Sequence, residues 1–197
     1  MTDNKLVAVV GMCGSGKSVL SDALVAENFG YLRFGQIVMD EIKKKNLEVS
    51  ESNERIIREG FRKEYGMGAF AVLNIPKFDE LLQQSHVVGD GLYSWDEYKI
   101  LKEKYGDNLI VVAVYAPPPM RYERLEKRFS DASDTALRNR GFSREAAAAR
   151  DIAEIENIAK GGPIAMADYT ILNIGTMEEY REQIKKFIDW LKKYGNN

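Results

Sequence analysis

The stretch Gly11-Met12-Cys13-Gly14-Ser15-Gly16-Lys17-Ser18 follows directly on the apolar run KLVAVV. It fits the pattern G-x-x-x-x-G-K-[ST] in full. A phosphate chain is gripped by backbone N–H groups that converge on one point, and side chains would block that approach. Glycines clear the space and accept backbone angles closed to other residues. A helix starting near Gly16 adds its positive end and its free N–H groups. In such a loop Lys17 reaches the β- and γ-phosphates, and the Ser18 hydroxyl sits on Mg²⁺. Cys13 lies where a helix N-terminus could activate a thiol. The simpler reading is that it fills one of the variable positions of the pattern.

A metal at Ser18 needs a carboxylate partner. Asp90, in HVVGDG, ends a second apolar run, at the strand end where open α/β sheets bind ligands. It can hold Mg²⁺ directly or through water. A turn aspartate in D-G is the alternative. Arginines supply further positive charge. Arg124 and Arg128 lie four apart on one helix face, and Arg138, Arg140, Arg144 and Arg150 follow. Phosphoryl transfer spreads negative charge that arginines closing over it stabilise, and a lid carrying them keeps water out. Arg55, Arg58 and Arg62 recur in NERIIREGFRKEYG on one helix face, where a second anion could dock. For each arginine the competing account is a solvated face with Glu/Arg pairs. His86 is read as the start of a strand. One histidine and one cysteine support no zinc site.

The elements that must position these residues are legible in outline. Apolar runs at 5–11, 86–91, 108–116 and 168–174, with a weaker one at 31–35, read as strands. The central ones do not alternate, as expected of parallel strands covered on both faces. Helical patterns fill 17–27, 94–105, 117–129 and 176–194. Ser94 is read as an N-cap with Glu97 as its box partner. Tyr180, Ile184, Phe187 and Leu191 recur at helical spacing. Strand and helix alternate, which argues for an α/β layer fold. Two helical excursions interrupt the alternation. One runs from 36 to 85, with breaks expected at Gly66, Gly68 and Pro76. The other runs from 130 to 163.

The chain has 197 residues, which favours one domain, and 45% of them are hydrophobic. With 28 basic and 30 acidic residues the net charge is −2, so no general attraction to nucleic acid or to an anionic membrane is expected. One cysteine excludes an intrachain disulfide framework and suits a reducing compartment. The N-terminal apolar run is too short for a signal peptide, and no stretch approaches a membrane span. A cytoplasmic protein, monomeric or homodimeric, is the expectation.

Over nearly its whole length the chain resembles nucleoside monophosphate kinases of the P-loop superfamily. It is most similar to a group of adenylate-kinase-related, dephospho-CoA-kinase-like proteins. The carriers are GMCGSGKS, GDGLYS, RYERLEKR, EYG-x-G-A, AARDIAE and MADYTILNIGTMEEYREQI. The resemblance implies a three-layer P-loop fold over 1–197. Its five-stranded parallel sheet, in order 2-3-1-4-5, has helices on both faces. An acceptor-side insert spans 36–85 and an arginine-bearing lid 130–163. It implies ATP contacts at Gly11, Gly14, Ser15, Gly16, Lys17, Ser18, Val19, Asn173 and Gly175, and Mg²⁺ at Ser18 and Asp90. Catalytic roles fall to Lys17, Arg128 and Arg150, and acceptor contacts to Gln36, Arg62 and Tyr93.

Two positions depart from the pattern. Dephospho-CoA kinases carry an aspartate after the second strand as the base for the acceptor hydroxyl; here Gln36 stands there, with Asp40 nearby. Adenylate kinases follow D-G with an arginine; here Tyr93 stands near that place. The expected activity is ATP-dependent phosphoryl transfer to a nucleotide-like small molecule, a nucleoside monophosphate first. Dephospho-CoA kinase and a P-loop regulatory protein are the alternatives.

Overall fold

The computed structural model describes residues 3–128 and 141–194. Arg138 and Arg140 therefore lie outside the described residues, as does much of the first half of the expected lid. Among the described residues the strands are β1 (Leu6–Val10), β2 (Gly30–Arg33), β3 (Val87–Asp90), β4 (Leu109–Tyr115) and β5 (Tyr169–Leu172). All pair in parallel, in the order β2-β3-β1-β4-β5. This is the sheet and the strand order that the resemblance implied.

Every residue of β1 is fully buried. Leu6, Ala8 and Val10 face one core, and Val7 and Val9 face the other. That two-sided burial is why β1 reads as a continuous apolar run rather than an alternating one. The second core is closed by α1 (Lys17–Ala26) and α9 (Met177–Tyr194), through Leu20, Leu24, Tyr180, Ile184 and Phe187. The first is closed by α2 (Gln36–Lys44), α3 (Glu51–Tyr65), α4 (Ala69–Leu82) and α5 (Trp95–Tyr105). The remaining helices are α6 (Pro118–Glu126), α7 (Arg144–Ile158) and the short α8 (Gly161–Ala165). Among the described residues no helix is long and apolar enough to cross a membrane.

The first excursion differs from expectation in one respect. Pro76 does not break a helix; it lies inside α4. Proline removes one backbone hydrogen bond there. The buried residues Phe70, Ala71, Asn74, Phe78 and Leu82 carry the helix through, and Asn74 Nδ2 donates to Phe34 O (3.1 Å) and Phe70 O (2.8 Å). The break at Gly66 and Gly68 forms as expected, between α3 and α4, and a further break falls at 45–50, ahead of the N-cap Ser50, whose hydroxyl accepts from the Asn53 N–H at 3.3 Å.

The cap of α5 forms as its sequence signature predicts. Ser94 Oγ accepts from Glu97 N (3.1 Å), and Glu97 Oε2 accepts from the N–H groups of Tyr93 (3.0 Å) and Ser94 (3.3 Å). Glu97 is fully buried, and its Oε1 has no partner. Burial pushes its pKa up to about 7, against the opposing pull of those N–H groups and of Arg62. The folded protein therefore holds a proton that the unfolded chain releases near 4.5. Stability from this group is full below that pH and is lost as pH rises through 7. Glu97→Gln should stabilise the protein at pH 8 by about 1–3 kcal/mol, with little effect at pH 4.5. Urea unfolding of both proteins at the two pH values checks this; equal differences at both would show that Glu97 is ionised throughout.

Candidate active site

The sheet's C-terminal edge opens into a cleft of about 1010 Å³ between α3 and α7. At its base the loop from β1 to α1 turns through Gly11, Gly14 and Gly16, with φ of 147°, 78° and 105°. Side chains fit none of these places. A Cβ on Gly14 would meet the Arg121 carbonyl oxygen at 2.8 Å, and one on Gly16 would strike Asn173 Nδ2. The glycines are thus required from behind, by the packed protein, as well as by the backbone angles. The first turn of α1 points N–H groups without helical acceptors into the opening.

Lys17 folds back over its own loop, its Nζ donating to the carbonyls of Gly11 (2.9 Å) and Met12 (3.1 Å). Burial, with the Lys160 ammonium nearby, brings its pKa down to about 8. Such a lysine gains most from an anion. Ser18 and Asp90 line the same cleft. Asp90 pairs with Val9 of β1 and with Arg33 of β2 in the sheet register, and its Oδ2 accepts from Tyr31 Oη at 2.9 Å. A hydroxyl, a carboxylate and phosphate oxygens form the all-oxygen donor set that Mg²⁺ takes. The residues present therefore fit Mg²⁺ bound together with a nucleotide. Among the described residues no cluster of three or more His, Cys, Asp or Glu could hold a metal by itself.

The loop is braced from beneath. Asn173, just past β5, is buried; its Nδ2 donates to Ser15 O at 2.8 Å. Tyr180 Oη of α9 donates to Gly16 O at 2.9 Å. Arg124 holds Asn173 in turn, through its backbone oxygen (2.9 Å) and Oδ1 (3.3 Å). Gly175 lines a separate shallow cavity beside Glu179 and Lys186. Asn173, Gly175, Gly11, Ser15 and Val19 are not among the cleft-lining residues, whereas Gly14, Gly16, Lys17 and Ser18 are.

On the lid side Arg128 and Arg150 line the cleft and Arg144 does not. Arg144 instead lies 3.9 Å from Glu126. Arg150 Nε donates to Glu154 Oε1 at 3.0 Å, and its guanidinium stacks over Phe142. Burial opposes its charge, but Cys13, Glu154 and Tyr93 raise its pKa above the ordinary arginine value. Behind it a buried bidentate pair ties α6 to α7. Arg121 Nη1 and Nη2 donate to Asp151 Oδ1 (3.0 Å) and Oδ2 (2.5 Å). Arg121 also donates to the carbonyls of Ala116 (2.9 Å) and Cys13 (3.1 Å), so it fixes the β1–α1 loop to α7.

On the opposite wall Arg55, Arg58 and Arg62 all line the cleft, together with Glu54 and Glu59. Arg55 pairs with Glu59 at 2.7 Å, and Arg58 with Glu54 at 3.3 Å. Arg62 differs. Its guanidinium lies over the Phe70 ring at 5.5 Å, and its buried Nε has no hydrogen-bond partner. Burial lowers its pKa. Tyr93 lines the cleft nearby. Gln36 is not among the lining residues; its Nε2 donates to Asp40 Oδ1 at 3.1 Å. Asp40 is exposed, lies 3.6 Å from Lys77 and is also not a lining residue. His86 stands just ahead of β3, its Nδ1 accepting from the Lys5 N–H at 2.9 Å, a structural role.

Sequence reasoning missed Arg121, Glu154, Lys160 and the Tyr180 hydroxyl. Arg121 carried a signal, since it stands three residues before Arg124 on α6, which ends at Glu126, ahead of Arg128. The others carried none that separates them from surface or core residues.

This is the P-loop, kinase-like class of fold. A family model described as an AAA domain matches residues 7–152. The shikimate kinase of Bacteroides thetaiotaomicron superimposes with a TM-score of 0.58 at 14% identity, covering 95% of this chain and 98% of that one. A gluconokinase from Sinorhizobium meliloti superimposes at 0.52 with 13% identity, covering 98% of each. The chain belongs to the UPF0200 family: the UPF0200 protein of Thermococcus kodakarensis is 37% identical over 186 residues, which span 93% of this chain and 96% of the relative.

Proposed function

We propose that the protein is an ATP-dependent kinase of a small, nucleotide-like acceptor, a nucleoside monophosphate first among them. The observation that carries the reading is one cleft with two facing anion walls. Lys17, Ser18 and Asp90 stand at its base, and Arg62, whose buried Nε has no hydrogen-bond partner, stands beside Phe70 on the other wall. A phosphate on Arg62 and a flat base against Phe70, Val38 and Met39 would occupy the acceptor wall.

In the transfer, a bond forms from the acceptor oxygen to the γ-phosphorus. The bond from that phosphorus to the bridging oxygen breaks, and its electron pair leaves with ADP. Lys17 and the loop N–H groups hold the phosphates. Arg128 and Arg150 close over the moving group. Mg²⁺, held by Ser18 and Asp90, would neutralise phosphate oxygens. An acceptor phosphate is already anionic and needs no base, which suits a cleft that neither Gln36 nor Asp40 lines. Attack by a ribose hydroxyl, as in dephospho-CoA phosphorylation, is less well served for the same reason.

The test is ADP formation from Mg-ATP, with Lys17→Ala as the blank. The acceptors are AMP, CMP, UMP, GMP, the deoxynucleotides, dephospho-CoA, shikimate and gluconate, the last two taken from the names of the structural neighbours. Steep stimulation by a nucleoside monophosphate is expected. Stimulation by dephospho-CoA alone would restore a hydroxyl acceptor, and slow hydrolysis indifferent to every acceptor would favour a regulatory protein.

A further inference from the structure

Lys160 has no part in the reading above, yet it lines the same cleft. Its side chain is 3% exposed. Nζ donates to Glu154 Oε2 at 2.6 Å and lies 4.9 Å from the centroid of the Tyr93 ring. Lys17 lines that cleft as well, so two ammonium groups share it, and an incoming anion would relieve their mutual repulsion.

The backbone is shaped to put it there. The helix α7 ends at Ala159, a residue with a Cβ held in the left-handed region at φ 49° and ψ 43°. Such strain persists where the surroundings enforce it, often at functional sites. The turn sends the chain back on itself, and the Lys160 N–H donates to Glu154 O at 3.2 Å. One carboxylate then carries two cations. Glu154 Oε1 accepts from Arg150 and Oε2 from Lys160, and both cations line the cleft. Burial works against the charge of Glu154, but Lys160 and Arg150 hold its pKa well below the usual carboxylate range.

Building on the kinase reading, we infer that Lys160 is a further catalytic residue, its ammonium contacting the phosphoryl group in transfer together with Lys17 and Arg150. Glu154 is the positioning residue that holds Lys160 and Arg150 side by side. The contribution of Lys160 is to charge that develops on the equatorial oxygens as the γ-phosphorus passes from the ADP oxygen to the acceptor oxygen. It carries no proton in that step and forms no bond.

The test separates ground-state from transition-state binding. Affinity is measured calorimetrically for Mg-ADP alone and for Mg-ADP with aluminium fluoride, a mimic of the phosphoryl group in flight. Turnover is measured as ATP hydrolysis, with and without acceptors. The wild type should bind more tightly with aluminium fluoride. Lys160→Met should remove about 100-fold of that tightening and of kcat, while Mg-ADP affinity stays within about threefold. Lys160→Arg should recover part of both.

Because Lys160→Met leaves Glu154 one cation short, Glu154→Gln/Lys160→Met serves as a second variant with both charges removed. It should melt close to the wild type and lose at least as much of the tightening and of kcat, since Arg150 loses its Glu154 partner too. An unchanged tightening and kcat in Lys160→Met would overturn the inference. So would an equal loss of Mg-ADP affinity, the mark of a structural strut, or a wild type that gains nothing from aluminium fluoride. The kinase reading fails separately. A Lys160-dependent tightening in a protein that no acceptor stimulates upholds Lys160 and rejects the acceptor, whereas acceptor-driven turnover indifferent to Lys160 does the reverse.

Discussion

Lys17→Met is expected to abolish ATP turnover and, in the same protein, to raise the melting temperature of the ligand-free form. Both effects come from one ammonium. Burial desolvates it and Lys160 lies near, so its pKa falls from 10.5 to about 8. Below pH 8 the folded and unfolded states are both protonated, and the folded state bears the cost of the buried charge. Between pH 8 and 10.5 the unfolded chain binds more protons, so wild-type stability rises with pH there.

Removing the charge should stabilise the ligand-free protein at pH 7 by about 1–3 kcal/mol, a discount for the partly open side chain included. At this chain length that is a rise of several degrees. Calorimetric melting of the two proteins at pH 7 decides it, and a fall in the variant would show that the bonds to Gly11 and Met12 outweigh the charge. A phosphate chain should also restore the lysine's proton. Nucleotide binding at pH 8 is then accompanied by proton uptake, read as a dependence of the binding enthalpy on the buffer's ionisation heat. Affinity should weaken as pH rises above 8.

Arg121→Met should cost about 3–5 kcal/mol of stability, the largest loss expected from a single change in this protein. Asp151 would remain buried with only the Tyr122 hydroxyl, which donates to it at 3.0 Å. The carbonyls of Ala116 and Cys13 would lose their donor as well. Arg121→Met/Asp151→Leu removes both charges and should recover much of the loss. Urea unfolding of the two single variants and the double variant gives the coupling, and a loss under about 1 kcal/mol in Arg121→Met would mean that water replaces the pair. Since Arg121 also grips Cys13, the KM for ATP should rise in whatever fraction folds.

The sheet was legible because its strands are buried on both faces, and the loop because Gly14, Gly16 and Lys17 answer to chemistry at fixed spacing. The α5 cap was legible because Ser94 and Glu97 bond within one turn. What failed depended on distance in space. Pro76 looks like a break until Phe78 of α4 is packed against Phe34. Arg124 and Arg128 look alike in the sequence, as if on one helix face, yet α6 ends at Glu126, and Arg124 braces Asn173 while Arg128, past the helix end, lines the cleft. Gln36 sits where the family pattern places a base, but its hydrogen bond runs along α2 to Asp40. Lys160 shows nothing in IAKGG; its role appears only when the turn at Ala159 brings it back over α7.

The braces beneath the phosphate loop bear on how the protein is made. Ser15 O and Gly16 O wait for Asn173 and Tyr180, partners 158 and 164 residues further along the chain. A ribosome will have finished β1, α1, β3 and β4 long before it supplies either one. Contacts of such long sequence separation form late. The nascent chain can therefore assemble most of its sheet while the loop at its N-terminal end still lacks its support, so nucleotide cannot act as an early template for folding. Competence of that loop to bind nucleotide would then arrive only with β5 and α9.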